Sequence, residues 1–426
     1  MRADAAPSDV WAGTARPDDV RRHNRRRVLS AVRTRGPISR TELAGHLGLS
    51  HASVTAIASD LVGAGLLSAA PVDPGRQAAR GRPKTSLSLD ASAASVATVN
   101  LQLDTIRATI ADYAGNEIGH AVSRIATRSA RADRLRSAIG TALQEAMAKA
   151  GPALRRVGAV SVGVQGVADA DGRTLLWSPI TKVGDLPIAD WIEDDFGVSA
   201  HVANDANLAA TALAVADPAR YGNSFAAILL AHGVGMGLYI SGQALVGDVS
   251  SGGEFGHMIH AVGGARCRCG GSGCIEAYAG DYAIIRRAHG FAPDTAPVRE
   301  VRPEALRAVA DAALRGDADA IAAIDEAGTA IGVGLASLFA LIDPVPVVLI
   351  GTSAMLAPQI EPPIRNALQT QMRPRREGGR RSSAVTLADA AFDLAFLEDA
   401  GALIERGASE QALARLDDEL ADGAHE

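Results

Sequence analysis

Little in the chain suits an oxidising compartment. Of its 426 residues only three are cysteine, and three thiols cannot all pair among themselves, which excludes a disulfide framework. The N-terminal stretch lacks the basic-then-apolar layout of a signal peptide. A long hydrophobic run is missing too: the most apolar stretch, near residues 331 to 351, is interrupted by Asp343 and Pro344, whereas a spanning helix needs about 20 consecutive apolar residues. These absences lead us to expect a cytoplasmic protein that is not membrane-bound. What is present, 47% hydrophobic and 21% charged residues, is the balance of a globular chain long enough for two or three domains and a substantial core.

Excess positive charge is confined to one end. Residues 1 to 90 carry 14 Lys and Arg against 8 Asp and Glu, while the whole chain carries 42 against 48. A basic head on an acidic body points to a polyanion that meets only the head.

Residues 1 to 18, with Pro7, Gly13 and Pro17 among small polar residues, read as a disordered N-terminus. From about residue 20 the spacing of Val28, Leu29 and Val32 predicts a helix ending before Gly36-Pro37. Ser39 is placed to cap a helix carrying Leu43 and Leu47, Gly48 to make a tight turn, and Ser50 to cap a second helix carrying Val54, Ile57 and Leu61. This is a helix-turn-helix pattern. The stretch after Gly65 reads as strand, Gly/Pro/Arg-rich loop and strand, so a winged helix-turn-helix is expected over residues 19 to 90. With Val54, Ile57 and Leu61 buried, the face with Ser50, His51, Thr55 and Ser59 is free to enter a major groove. Arg76, Arg80, Arg82 and Lys84 on the wing could reach phosphates or a minor groove. A winged helix that contacts only proteins is the alternative, disfavoured by the clustered arginines.

Beyond residue 90, two stretches share an outline. From Ser95 and again from Ser224 an apolar strand is followed by a turn, a second apolar strand and a Gly-containing hairpin, "AGNE" (114 to 117) or "SGQA" (241 to 244). A further strand is expected at 157 to 164, helices around 134 to 150, 187 to 196 and 303 to 340, and a buried strand at 345 to 351. The alternation predicts a duplicated, two-lobed α/β body with a cleft. All three cysteines fall within 267 to 274, just after His257 and His260, a spacing that suits a metal.

A winged helix ending in "RGRP", then "NDAN" at 204 to 207, "EFGH" at 254 to 257 and "CRCGGSGCIE" at 267 to 276, together resemble the ROK family of sugar-responsive repressors and sugar kinases over residues 20 to 400 or so. The resemblance implies an actin-like, ribonuclease-H-like body, with lobe I over 91 to 215, lobe II over 216 to 408 including a C-terminal helix returning toward lobe I, and a tail from 409 to 426. It implies a sugar or sugar-derivative effector, a double-stranded DNA operator and a homodimer or homotetramer. His257, Cys267, Cys269 and Cys274 match the family's zinc pattern. One imidazole and three thiolates fill a tetrahedral Zn2+ with no open position, so the metal is structural, and Gly263, Gly264, Gly270, Gly271 and Gly273 let the loop wrap around it. His260 is a rival ligand outside the motif. By the same resemblance Asn204, Asp205, Glu254, His257 and Glu276 hold the sugar, because carboxylates and amides read pairs of hydroxyls. Asn204 and Asp205 also suit a helix cap.

Asp205 matches the general base of the family's kinases, but no catalytic role is expected here. The first phosphate loop of those kinases reads Asp-x-Gly-Gly-Thr, and here the corresponding residues are Asn100 to Asp104, "NLQLD". Side chains stand where bare backbone would approach phosphates. The second segment, "AHGVGMG" at 231 to 237, keeps its glycines but has Ala231-His232 for Gly-Thr. The expectation is a repressor without kinase activity; a sugar kinase with an appended DNA-binding head is the alternative.

Overall fold

The computed structural model describes residues 17–71, 85–250, 252–372 and 392–422; of the N-terminus expected to be disordered, residues 1 to 16 lie outside the described residues, as do the wing arginines, while Pro17 and Asp18 already belong to the first helix. The chain divides into two compact units. The first is a head made of residues 1–94 together with 112–116 and 413–426, and the second is a body made of 95–111 and 117–412.

In the head, helix Pro17–Arg35 precedes helices Arg40–Leu47 and His51–Gly63, and strands Ile38–Ser39, Thr85–Leu89 and Leu67–Pro71 form an antiparallel sheet in that order. The local chemistry fixes each boundary. Ser39 and Glu42 form a reciprocal capping box, the Glu42 carboxylate accepting from Ser39 N–H at 2.9 Å. Gly48 takes a left-handed φ of 64° in the turn, and the Ser50 hydroxyl accepts from Ser53 N–H at 3.0 Å. Val28, Leu29, Val32, Leu43, Val54, Ile57 and Leu61 are buried, as their spacing predicts.

The head also contains the end of the chain. Residues 409–422, expected as part of a tail, are helical: helix Ala400–Asp422 gives its residues through Ala412 to the body and those from Leu413 to the head. Asp417 on it is 4% exposed and accepts from Arg33 at 2.6 and 3.2 Å and from the Tyr113 hydroxyl at 2.6 Å. The Arg33 guanidinium lies 5.3 Å from the Tyr113 ring centroid. Burial, then the charge of Asp417, push the Tyr113 hydroxyl far above the usual phenol range. Next to this buried cluster, Arg26 and Asp418 form an exposed ion pair.

The body repeats one sheet twice. In the first lobe the order is Ser199–Asn204, Val157–Val164, Ser95–Gln102, Thr105–Asp112, Glu117–Arg124; in the second, reading from the equivalent edge, it is Leu394–Leu397, Val347–Ile350, Phe225–Leu230, Val234–Ile240, Gln243–Ala244. The first three strands of each are parallel and the last two antiparallel, so the duplicated ribonuclease-H-like outline is realised. Helices Ala132–Ala150 and Ala318–Phe339 belong to the two apolar cores. The second is long and apolar enough to cross a membrane, but thirteen of its residues are buried inside the protein. Strand Val234–Ile240 lies so close to helix Asp205–Ala216 that a side chain at Gly237 would meet the Ala206 carbonyl at 2.4 Å, so this glycine serves packing.

Candidate functional site

A cavity of about 380 Å³ in the body is lined by Asn204, Asp205, Glu254, His257 and Glu276, the five residues singled out for sugar. Asn204 is the cap of helix Asp205–Ala216. Its oxygen accepts from Ala206 and Asn207 N–H at 2.9 and 3.2 Å and its amide donates to Gly166 O at 2.7 Å, so one amide N–H remains for a ligand. Removal from water pushes Asp205 up to about 7, although Ala206 N–H donates to it at 2.9 Å. Glu254, whose side chain is 48% exposed, is raised as well, chiefly because the cleft wall screens part of it from water. Glu276 is 5% exposed and already engaged: it accepts from the Tyr282 hydroxyl at 3.2 Å and Val234 N–H at 3.3 Å, and the Cys267 thiol lies 3.5 Å away. It therefore joins the cleft wall to the cysteine loop.

His257, Cys267, Cys269 and Cys274 each present one ligand atom, all within 4.8 Å of one another. Cys267 Sγ is 3.9 Å from His257 Nδ1, and Cys269 Sγ is 3.9 Å from Cys274 Sγ. Four such ligands around one zinc sit roughly 3.3–3.8 Å apart, given bonds of about 2.0–2.3 Å, so the donor set and its spacing suit a tetrahedral thiophilic dication. Burial pushes the Cys267 and Cys274 thiols up, a cost that a bound cation would reverse. His257 offers Nδ1 to the thiols and Nε2 toward Glu254, whose carboxylate is 3.7 Å away, so the imidazole can face metal and cleft together. Gly263, Gly270 and Gly273 take positive φ in this loop. His260 is outside the cluster and packs edge-on against Tyr278, with ring centroids 4.8 Å apart.

On helix His51–Gly63 the side chains of His51, Thr55 and Ser59 are exposed, opposite buried Val54, Ile57 and Leu61. Ser50 is exposed but spends its hydroxyl on the cap. Arg76, Arg80, Arg82 and Lys84 lie outside the described residues.

The cavity also holds residues that sequence reasoning missed. Trp177, 41% exposed, lines it with its ring edge-on to His257 at 6.4 Å. Arg268, the residue between the first two cysteines, lines it with its guanidinium 4.6 Å from the Tyr282 ring centroid. His232 lines it with Nδ1 3.2 Å from buried Asp281. Its partner is 49 residues away, beyond any local spacing signal.

Comparison with known proteins bears on the family and the fold. The chain is 25% identical over 357 residues to the DNA-binding transcriptional dual regulator NagC of Escherichia coli K12, covering 83% of this chain and 86% of NagC. Against the DNA-binding transcriptional repressor Mlc of the same organism it is 24% identical over 361 residues, covering 84% and 87%; against the xylose repressor of Bacillus spizizenii it is 22% identical, covering 83% and 88%. A crystal structure of a ROK family transcriptional regulator, a homolog of E. coli Mlc, superposes with a TM-score of 0.73 at 22% identity, covering 94% of this chain and 98% of that one, which bears on the fold. The ROK hexokinase of Thermus thermophilus superposes with a TM-score of 0.58 at 27% identity over 77% of this chain and all of that one. Residues 97–390 match the ROK family, and this chain belongs to it.

Proposed function

We propose that this protein is a cytoplasmic DNA-binding transcriptional repressor whose body binds a sugar and thereby sets the affinity of its winged helix-turn-helix for an operator. The observation that carries this is the coexistence in one chain of a polar recognition face on helix His51–Gly63 and a cleft that keeps the sugar-type residues while both phosphate segments have lost family features. The names of the relatives, repressors for xylose and N-acetylglucosamine among them, support the same reading. His51, Thr55 and Ser59 reach base edges, with Ser50 holding the helix start and Arg76, Arg80, Arg82 and Lys84 on the phosphates.

Asp205, Glu254 and the free N–H of Asn204 take the sugar hydroxyls. His257 adds Nε2, and Glu276 backs the wall. Zinc, held by His257, Cys267, Cys269 and Cys274, supplies a closed structural centre that fixes the ring of His257 and the path of the loop. Effector control is linkage: a sugar that favours one arrangement of the body favours one DNA affinity. The active form is a homodimer or homotetramer, as two half-sites require.

Kinase activity is not expected. Asp205 has the position of the base, but Asn100, Gln102 and Leu103 stand in the first phosphate segment. Binding to the protein's own upstream DNA at fixed salt, with and without candidate sugars, tests the repressor; sustained ADP release with those sugars and ATP would overturn it in favour of a kinase.

A further inference from the structure

The cavity that collects the sugar residues also reaches the two segments that hold phosphates in the family's kinases. It is lined there by Asn100, Gln102 and His232. Asn100 is 9% exposed, and among the described residues its amide makes no hydrogen bond. A nearly buried amide that faces a cavity without a partner calls for a ligand group or water to complete it. His232 is built differently. The Asp281 carboxylate, itself 2% exposed, sits 3.2 Å from Nδ1 and accepts from Tyr282 N–H at 2.6 Å. With Nδ1 held against that carboxylate, Nε2 is left for the cavity.

Amides that donate and accept, together with an imidazole Nε2, complement hydroxyls. Neither amide supplies the cation that a phosphate site uses. The remaining charge lining the cavity agrees. Asp205, Glu254, Glu276 and Glu300 face one guanidinium, Arg268, which donates to Val298 O at 3.1 Å and lies 3.9 Å from Asp281. An anionic group would enter against this field, and a neutral polyol would not. The size points the same way: about 380 Å³ falls in the roughly 300–1,000 Å³ range of pockets that enclose drug-sized ligands, which leaves room for more than one sugar ring.

We propose that Asn100, Gln102 and His232 form a second sugar subsite, so that the effector is a di- or oligosaccharide lying along the whole cleft. This rests on the reading of the cleft as a sugar site. Calorimetric titration of the full-length protein tests it with glucose, xylose and N-acetylglucosamine, with maltose, cellobiose, xylobiose and chitobiose, and with N-acetylglucosamine 6-phosphate and ADP as anionic probes.

The expected result is that one disaccharide binds at least tenfold more tightly than its own monosaccharide. His232→Ala and Asn100→Ala should each remove most of that advantage while moving the monosaccharide's affinity less than twofold, and His232→Gln, which keeps an acceptor, should restore part of it. Sugar-free DNA affinity checks that the variants are folded. If monosaccharides bind and no disaccharide does better, or if an anionic probe binds most tightly, the subsite is refuted and sugar sensing stands. If neither class of sugar binds, both readings fall together.

Discussion

Replacing Asp417 by alanine leaves the Arg33 guanidinium, whose side chain is 8% exposed, without its two-pronged partner and the buried Tyr113 hydroxyl without its acceptor. Breaking one side of a buried pair costs about 3–5 kcal/mol. The adjacent Asp418 supplies an internal control: its pair with Arg26 has side chains 44% and 42% exposed, and exposed pairs contribute at most about 1 kcal/mol. Hydrogen exchange of the amides in helix Pro17–Arg35, followed by mass spectrometry, reads the local stability of the head. At about 1.4 kcal/mol per factor of ten, Asp417→Ala should lower protection there by roughly 150- to 5,000-fold and Asp418→Ala by less than about fivefold. Arg33→Leu/Asp417→Leu, which removes both charges together, should recover most of the loss, because an apolar replacement of a buried pair is often neutral. Equal protection in the two single alanine variants, or a double variant as unstable as the two Leu singles added, would refute the reasoning.

Three further outcomes are expected. Asp205 is raised from 3.8 to about 7, so between about pH 4 and pH 7 the native state holds a proton that the unfolded state has released; this group therefore contributes a fall in stability as pH rises through that window, level above it. Asp205→Asn should flatten that component in thermal unfolding measured across the range, and an unchanged pH profile would contradict the assignment. Metal analysis should find one zinc per chain, with Cys267→Ser or a strong chelator lowering the melting temperature and sugar affinity together; unchanged zinc content in the variant would count against the four-ligand site. Trp177 lines the cavity beside His257, so sugar binding should change tryptophan fluorescence, and the change should vanish in Trp177→Phe; its persistence would place the ligand elsewhere.

Elements whose cause is local were legible in the sequence. Strand Val157–Val164, both Gly-containing hairpins and the Ser39 and Ser50 caps follow from period-two runs and short-range hydrogen bonds. The helix beyond residue 409 was not, although Ala408, Ala412, Leu413 and Leu416 are buried at helical spacing. The partners that bury Asp417, Arg33 and Tyr113, are remote from it in sequence. The cysteine loop was legible as a ligand set because all but one donor lie within eight residues. Asn204 was read as cap and ligand, and its hydrogen bonds are nearly exhausted by the cap and by Gly166 O. Glu276 was placed on the cleft wall, but its tie to Tyr282 depends on how helices Glu276–Ala279 and Asp281–Ala288 follow one another. His232 looked like a departure from a phosphate motif, and only the fold brings Asp281 to it.

The pairing of Arg33 with Asp417 also has a consequence in time. The two residues are 384 positions apart, so during translation the ribosome finishes the helix-turn-helix long before it makes the carboxylate that holds the first helix of the head. N-terminal segments generally fold first as a chain emerges, but here the carboxylate that accepts from Arg33 and from the Tyr113 hydroxyl is made only after nearly the whole body. A chain truncated anywhere within that body lacks Asp417 and, with it, the buried cluster that joins the last residues of helix Ala400–Asp422 to the first helix of the head.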